Sequence, residues 1–202
     1  MILLHPKEAG KKIGTGRLTH LCISNSRLIR GTGEDLDRSE ALMELLQDRS
    51  LAPVVLYPGR QSLNLSTVNL SGVEKKTDAV LETFPLGLRP LIFVIDGTWP
   101  QAKKMIRTSF LLSGLKQIQF SPLKKSNYRI RTQPKDYCVS SLEAVHTLIE
   151  LLDSSGIAAK PAHGEHQNLL DVFNWMVELQ ITCEENEPNP RRMKRNRRVE
   201  NG

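Results

Sequence analysis

The chain has 202 residues, of which 39% are apolar and 25% are charged, a composition typical of a folded globular protein with one core. No apolar run approaches the roughly 20 residues that cross a bilayer, and the start lacks a leader-like cleavage site. We therefore expect a cytoplasmic protein without a membrane segment. Cys22, Cys138 and Cys183 are odd in number and far apart, which favours neither disulfides nor a metal site.

The net charge of +6 is concentrated near the C-terminus. Six of the 28 basic residues lie within residues 191–198, and without them 22 basic residues balance 22 acidic ones. This predicts a folded domain over residues 1–183 and a flexible basic tail over residues 184–202. The tail suits an RNA backbone, although charge alone slightly favours a solvated tail without a ligand. The tail residues assigned to RNA binding are Arg191, Arg192, Lys194 and Arg195.

Strand-like and helix-like segments alternate along the chain, which predicts a single α/β domain with a mostly parallel sheet flanked by helices. Short apolar runs predict buried strands at residues 53–57 and 91–95, with weaker candidates at 18–24 and 116–120. Apolar spacing predicts helices at residues 41–46, 142–152 and 167–181.

Residues 91–107 pass from a strand through a glycine turn into a helix. Ligands bind at such carboxyl ends of strands in open α/β sheets. Asp96 follows the predicted strand directly, Thr98 is placed to cap the helix, and Pro100 fits its first turn. Asp96 is our candidate general base. From the residues alone, turn closure by Asp96, capping by Thr98 and packing by Trp99 carry about even odds against functional roles.

The helix that starts after Thr98 has two different faces. The positions predicted to face the core are Ala102, Met105, Ile106 and Phe110. The basic positions predicted to face solvent or a polyanion are Lys103, Lys104 and Arg107.

Residues 129–152 combine a basic extended segment with an amphipathic helix. Ser140 and Glu143 have the spacing of a capping box, so a structural role explains Glu143 and a catalytic role would need separate support. Arg129 and Arg131 alternate along the extended segment, which suits phosphate contacts but equally suits a solvated edge.

The histidines give weaker signals. His5 could be a base or could line a site, although a single histidine is more often structural. His163 and His166 have no evident partners, and no metal-ligand spacing stands out, so we predict no metal.

The segment from Asp96 to Trp99 resembles the Asp-x-Thr-Trp signature of DTW-domain proteins. The resemblance continues in order with LLHPKE and TGRL near the start, VVLYP at residues 54–58, and RIR followed by SSLEAV at residues 140–145. It covers roughly residues 1–150, and the combination is specific where one motif alone would be weak.

This resemblance implies a fold related to the SPOUT methyltransferases, with a knotted chain. It also implies transfer of the 3-amino-3-carboxypropyl group of S-adenosylmethionine to a uridine of tRNA, which gives 3-(3-amino-3-carboxypropyl)uridine. Asp96 would take the imide proton or orient the base, and Trp99 would shape the pocket or stack on a planar group. The implied cofactor-binding residues are Thr15, Leu56, Tyr57, Pro58, Ile95, Thr98, Tyr128, Ser140, Ser141 and Leu142.

Two positions depart from the family pattern. Many members carry a cysteine cluster ahead of the His-Pro segment, suited to zinc, and this sequence has none there. Ser141 stands where threonine is usual, and it keeps the hydroxyl.

Two other functions are compatible with these patterns. An RNA methyltransferase of the SPOUT type would share the cofactor and would be separated by the mass of its product. A non-catalytic RNA-binding module would bind RNA in a salt-sensitive way and would not depend on Asp96. No protein partner is indicated.

Overall fold

The computed structural model describes residues 1–11, 13–70, 78–122, 126–128 and 138–186. These residues contain a six-stranded sheet in which every paired neighbour is parallel, in the order β2-β1-β5-β3-β6-β4. The strands are β1 (Ile2–Leu4), β2 (Leu28–Arg30), β3 (Leu51–Leu56), β4 (Leu63–Asn64), β5 (Arg89–Asp96) and β6 (Lys116–Gln119). The predicted α/β domain with a parallel sheet is confirmed.

Helices lie between all consecutive strands except β3 and β4, because strands that pair in parallel need a crossover connection. They are α1 (Pro6–Ala9), α2 (Thr15–Cys22), α3 (Gly33–Asp37), α4 (Glu40–Gln47), α5 (Leu65–Leu70), α6 (Asp78–Thr83), α7 (Trp99–Thr108), α8 (Phe110–Ser113), α9 (Ser141–Ser154) and α10 (Asn168–Asn186), with a 3-10 helix at Glu165–Gln167. The helices predicted at residues 41–46, 142–152 and 167–181 correspond to α4, α9 and α10. In the described part of the chain, no helix is both long and apolar enough to cross a bilayer.

The pleat of β3 sends neighbouring side chains to opposite faces of the sheet. Val55 packs with Phe93 and Met105 against α3, α4, α7 and α8. Val54, one residue earlier, packs with Leu148 on the other face, against α5, α9 and Phe84, which follows α6. Both faces are therefore covered, which explains why β3 and β5 are continuous apolar runs rather than alternating ones.

A third cluster joins α2, α9 and α10 beside the sheet. Its buried residues are Leu142, Leu169, Phe173, Met176 and Val177, with Leu18 and Cys22 packed against them. This cluster fixes the position of α9 relative to α2, and both helices begin at the carboxyl edge of the sheet.

Two predictions from the pattern are wrong. The weak strand candidate at residues 18–24 is largely helical, because Leu18 and Cys22 are spaced four residues apart and share one helical face toward α10. Phe110 does not face the core and is 83% exposed. Helix α7 ends at Thr108, and the extended backbone of Ser109 turns the chain before α8 begins.

Other local predictions are confirmed with small shifts. The strand predicted at residues 116–120 is β6, and Ala102, Met105 and Ile106 are buried as expected. Asp96 is the last residue of β5, paired with Leu4, rather than the first residue beyond the strand. Helix α10 continues to Asn186, past the predicted helix end at residue 181 and through the first three residues of the predicted tail. Residues 187–202 lie outside the described residues, so the domain boundary stays a prediction.

Candidate active site

A pocket of about 160 Å³ opens at the carboxyl edge of the sheet, where β3, β5 and β6 end and α9 begins. One water needs only about 10–15 Å³, so this pocket has room for part of an organic molecule. Its lining residues are Leu56, Tyr57, Pro58, Val94, Ile95, Gly97, Trp99, Ala102, Gln119, Phe120, Pro122, Val139, Ser140, Ser141 and Ala144. The pocket therefore lies at the edge that the parallel-sheet prediction indicated.

Helix α7 begins at the pocket with the predicted capping arrangement. Thr98 is the N-cap, and its backbone N–H donates to Gln101 Oε1 at 2.7 Å. This fixes the first turn and places Trp99 at the pocket wall, with 38% of the residue exposed. The Trp99 ring lies 6.1 Å from the Tyr57 ring, tilted by 53°, and its Nε1 donates to Cys138 Sγ at 3.0 Å. Two aromatic rings thus line one side of the pocket.

Helix α9 begins with a second capping box, also as predicted. The Ser140 backbone N–H donates to Glu143 Oε2 at 2.8 Å, and Ser140 Oγ accepts from the Glu143 backbone N–H at 3.2 Å. The same carboxylate accepts from Ser126 Oγ at 2.7 Å and from the Asn127 backbone N–H at 3.1 Å. Glu143 therefore ties residues 126–128 to the helix start that lines the pocket.

Asp96 lies behind the pocket wall rather than among its lining residues. It is 5% exposed, and its Oδ1 accepts from Thr15 Oγ1 at 3.0 Å and from Ser141 Oγ at 2.5 Å. These bonds join the end of β5 to the first residues of α2 and α9. A buried carboxylate needs such donors, because an unpaired one would be strongly disfavoured.

The position of Asp96 explains why a glycine, Gly16, follows Thr15 in the TGRL segment. A Cβ at this position would lie 2.6 Å from Asp96 Cγ and 2.7 Å from Asp96 Oδ2, closer than real atoms approach. The absent side chain lets the backbone of α2 lie directly against the carboxylate. Both carboxylate oxygens of Asp96 are thus enclosed, one by hydroxyls and the other by Gly16.

The predicted cofactor-binding residues fall into two groups. Those that line the pocket are Leu56, Tyr57, Pro58, Ile95, Ser140 and Ser141. The others lie behind it: Thr15 bonds Asp96, Thr98 caps α7, Leu142 is fully buried in the α2–α9–α10 cluster, and the Tyr128 ring packs edge-on against Phe173 at 5.5 Å. Cofactor binding by either group stays a prediction.

Sequence reasoning missed one wall of the pocket. Gln119 ends β6, Phe120 and Pro122 follow it, and Val139 precedes α9. The available signal was the weak strand at residues 116–120, because a parallel strand beside β3 must end at the same edge of the sheet.

Basic residues lie close to this edge. Lys103, Lys104 and Arg107 are exposed on α7, as predicted. Burial, together with the charges of Lys7 and Lys104, lowers the pKa of His5 despite the opposing effect of Glu8. The predicted RNA-binding residues Arg129, Arg131, Arg191, Arg192, Lys194 and Arg195 lie outside the described residues.

Tyr57 has a different electrostatic setting. Burial raises the pKa of its phenol, so the ring stays neutral and presents an apolar face beside Trp99. This wall of the pocket therefore suits an uncharged planar group.

Comparison with known proteins agrees with the predicted family. The family model described as the DTW domain matches residues 1–181. The chain is 31% identical over 156 residues to a Drosophila melanogaster protein named tRNA-uridine aminocarboxypropyltransferase 2, a match covering 76% of this chain and 56% of the relative. Proteins of the same name from Macaca fascicularis and Mus musculus are each 27% identical over 76% of this chain and 47% of their own length.

The matched part of the chain thus corresponds to about half the length of these curated relatives. No solved structure matches the chain, so the relation to the SPOUT fold and its knot stays a prediction. With a matching domain over residues 1–181 and the signature residues gathered at one edge of a parallel sheet, this chain belongs to the DTW-domain family.

Proposed function

We propose that this chain transfers the 3-amino-3-carboxypropyl group of S-adenosylmethionine to a uridine of tRNA, producing 3-(3-amino-3-carboxypropyl)uridine. The observation that carries the proposal is the pocket itself. Segments that are far apart in sequence and belong to the DTW pattern, around Tyr57, Trp99 and Ser140, line one pocket in a chain that belongs to the family.

The lining chemistry fits the proposed donor. Tyr57, Trp99 and Phe120 offer aromatic surface to a planar base, and Leu56, Ile95 and Ala144 offer apolar surface. Ser140, Ser141 and the first backbone N–H groups of α9 offer hydrogen bonds to polar groups. When bound, S-adenosylmethionine would supply an electrophilic methylene carbon in its aminocarboxypropyl arm: the uridine nitrogen would bond to this carbon as the carbon–sulfur bond breaks, and 5′-methylthioadenosine would leave with the bonding electron pair.

The pocket residues would control which carbon of the donor reacts. Transfer of the aminocarboxypropyl arm rather than the methyl group requires that this arm face the uridine nitrogen, with the reacting atoms near contact. The pocket is lined by Tyr57 and Trp99 and, from a different element, by Ser140 at the start of α9. Holding the donor between them would set its orientation.

Asp96 has two possible roles, and substitutions at this position can distinguish them. In the first role, its carboxylate takes the imide proton of uridine or orients the base, and a base must reach the proton it removes. The hydrogen bonds from Thr15 and Ser141 favour a positioning role, in which Asp96 holds the starts of α2 and α9 against β5. As a base, Asp96 would have to exchange one of these hydroxyl contacts for the substrate.

The acceptor would approach along the basic face of α7. Lys103, Lys104 and Arg107 are exposed on a helix whose first residue lines the pocket, so phosphates of the RNA could contact them while a uridine enters. The proposed chemistry uses no metal, and a reaction on tRNA fits the cytoplasmic location that the sequence predicts.

The deciding experiment incubates purified protein with unmodified tRNA and S-adenosylmethionine, followed by mass spectrometry of the nucleosides. A uridine that carries the aminocarboxypropyl group supports the proposal. A methylated nucleoside would instead identify an RNA methyltransferase, and salt-sensitive tRNA binding without any product would identify a binding module.

Two substitutions at Asp96 distinguish its roles. Asp96→Asn keeps an oxygen that accepts from Thr15 and Ser141 but cannot take a proton, whereas Asp96→Ala removes both abilities. Loss of a general base costs about 10²- to 10⁴-fold in rate. If Asp96 is the base, both variants lose activity to that extent; if it positions the helices, the asparagine variant retains most of its activity and only the alanine variant is severely impaired.

A further inference from the structure

A second group of polar side chains lies on α9, away from the pocket. His146 and Glu150 are four residues apart and share one face of the helix, and His166 from the 3-10 helix packs against them. The two imidazole rings are stacked with centroids 5.3 Å apart. The expectation that His166 has no partner is therefore wrong, because its partners come from a different element.

The potential ligand atoms of these residues converge. One nitrogen from each histidine and one carboxylate oxygen of Glu150 all lie within 4.8 Å of one another. His166 Nε2 lies 2.6 Å from Glu150 Oε1. The side-chain amide of Gln167 lies among them, 3.1 Å from His146 Nε2, 3.2 Å from His166 Nε2 and 3.5 Å from Glu150 Oε1.

With the amide nitrogen of Gln167 facing His166, hydrogen bonding does not satisfy all of these contacts at once. His166 Nε2 would have to donate to the Glu150 carboxylate and also accept from the Gln167 amide, and one ring nitrogen does only one of these. His166 is 2% exposed, and its Nδ1 has no hydrogen-bond partner among the described residues. The nitrogen that faces the cluster is Nε2, so the support for a ligand site comes from the convergence of Nε2 with His146 and Glu150.

Two imidazole nitrogens and one carboxylate oxygen supply three of the four ligands of a tetrahedral Zn²⁺ site, and the side-chain oxygen of Gln167 lies 3.1 Å from His146 Nε2, close enough to supply the fourth. We propose that His146, Glu150 and His166 bind a zinc ion, with the Gln167 amide turned aside or its oxygen completing the coordination. The cluster is accessible, since 37% of the Glu150 side chain is exposed. Lys160 contacts the other carboxylate oxygen, Oε2, at 3.1 Å, which leaves Oε1 directed at the histidines.

The proposed ion would be structural. It would join the middle of α9 to the turn that starts α10, and α9 carries Ser140 and Ser141 to the pocket at its other end. Binding that occurs only in the folded state raises stability according to mass action. The site lies apart from the proposed chemistry, and its occupancy can be measured without any assay of transfer.

The test is zinc binding by the whole chain. Chelator-treated wild-type protein is titrated with Zn²⁺ by calorimetry, the bound metal is counted by mass spectrometry, and thermal unfolding is followed with Zn²⁺ and with Mg²⁺. We expect one bound zinc and a higher melting temperature with Zn²⁺ only. Loss of an outer-shell partner costs about 10- to 100-fold in metal affinity, so losing a ligand in His146→Ala or Glu150→Gln should cost at least that much.

His163→Ala is the matched control, because His163 lies on the same connection but is exposed and outside the cluster. It should bind zinc like the wild type. His146→Ala and Glu150→Gln spare the buried ring of His166 and should fold. Unchanged zinc affinity in both variants, no stoichiometric binding, or a Co²⁺ spectrum with thiolate charge-transfer bands from the free cysteines would each overturn the proposal.

Discussion

Helices α7 and α9 begin with the same capping motif, but the two motifs differ in how many other parts of the chain they bond. Both begin with a capping box at the pocket, Thr98 with Gln101 and Ser140 with Glu143. Among the residues that the structure describes, Gln101 bonds only to its own helix start, whereas Glu143 also bonds Ser126 and Asn127. The start of α9 therefore connects two segments of the chain, whereas α7 presents the Trp99 ring to the pocket and its basic residues to solvent. Equal local motifs do not imply equal energetic importance.

The largest contrast should appear when both capping partners are removed. Glu143→Ala loses three hydrogen bonds to a charged group, which should cost about 3 kcal/mol of unfolding free energy, whereas Gln101→Ala loses one neutral cap worth about 1 kcal/mol. Denaturant unfolding of both variants measures the difference. Equal losses would show that the contacts of Glu143 with residues 126–128 contribute nothing.

Trp99 tests whether the start of α7 presents a functional surface. Trp99→Ala removes a ring from the pocket wall beside Tyr57. If that ring stacks on a planar group of the donor, its loss costs about 0.5–1.5 kcal/mol of binding, so kcat/KM should fall up to roughly tenfold. Trp99→Phe should recover part of the loss. Trp175→Ala, at an exposed tryptophan of α10, is the control and should behave like the wild type. An unimpaired Trp99→Ala variant would argue against the proposed pocket.

The basic face of α7 should affect RNA binding and leave the fold intact. The double variant Lys103→Gln/Lys104→Gln should weaken tRNA binding at low salt and reduce the slope of log affinity against log salt by about 1 to 2. Fluorescence anisotropy across a salt series measures this slope. Lys116→Gln removes a lysine that already pairs with Glu82 and should leave the slope unchanged; a change as large in that control would mean that the effect reflects total charge alone.

The smallest expected change in stability concerns the C-terminal end of α7, where Asp37 bonds the residues that follow the helix. Asp37 accepts from Ser109 Oγ at 2.6 Å and from the backbone N–H groups of Phe110 and Leu111. Burial raises the pKa of Asp37, but these hydrogen bonds outweigh it and the pKa lies below its usual value. The stabilisation is therefore present above about pH 4 and is lost as the pH falls through the folded-state pKa.

Asp37→Asn should remove this part of the acid sensitivity and cost under about 1 kcal/mol at neutral pH, because water screens the carboxylate. Unfolding free energy measured between about pH 2 and pH 6 tests the sign, with Asp171→Asn on the exposed side of α10 as the control. An unchanged pH profile in Asp37→Asn would show that the end of α7 depends on packing alone.

The sequence by itself determined the features that act over a few residues. Apolar spacing located β3, β5, α9 and α10, the Ser140–Glu143 spacing indicated a capping box, and the ordered motifs indicated the family. These features depend on hydrogen bonds and side-chain directions within one turn or one strand, which the local pattern records.

Only the tertiary structure decided which distant residues meet. Asp96 is bonded by Thr15, 81 positions earlier, and by Ser141, 45 positions later, and no local spacing encodes either contact. The exposure of Phe110 and the meeting of His146 with His166 likewise depend on where one helix ends and another packs. Such contacts are set by the order of the strands and by packing across the sheet, so the chain must be folded before they exist.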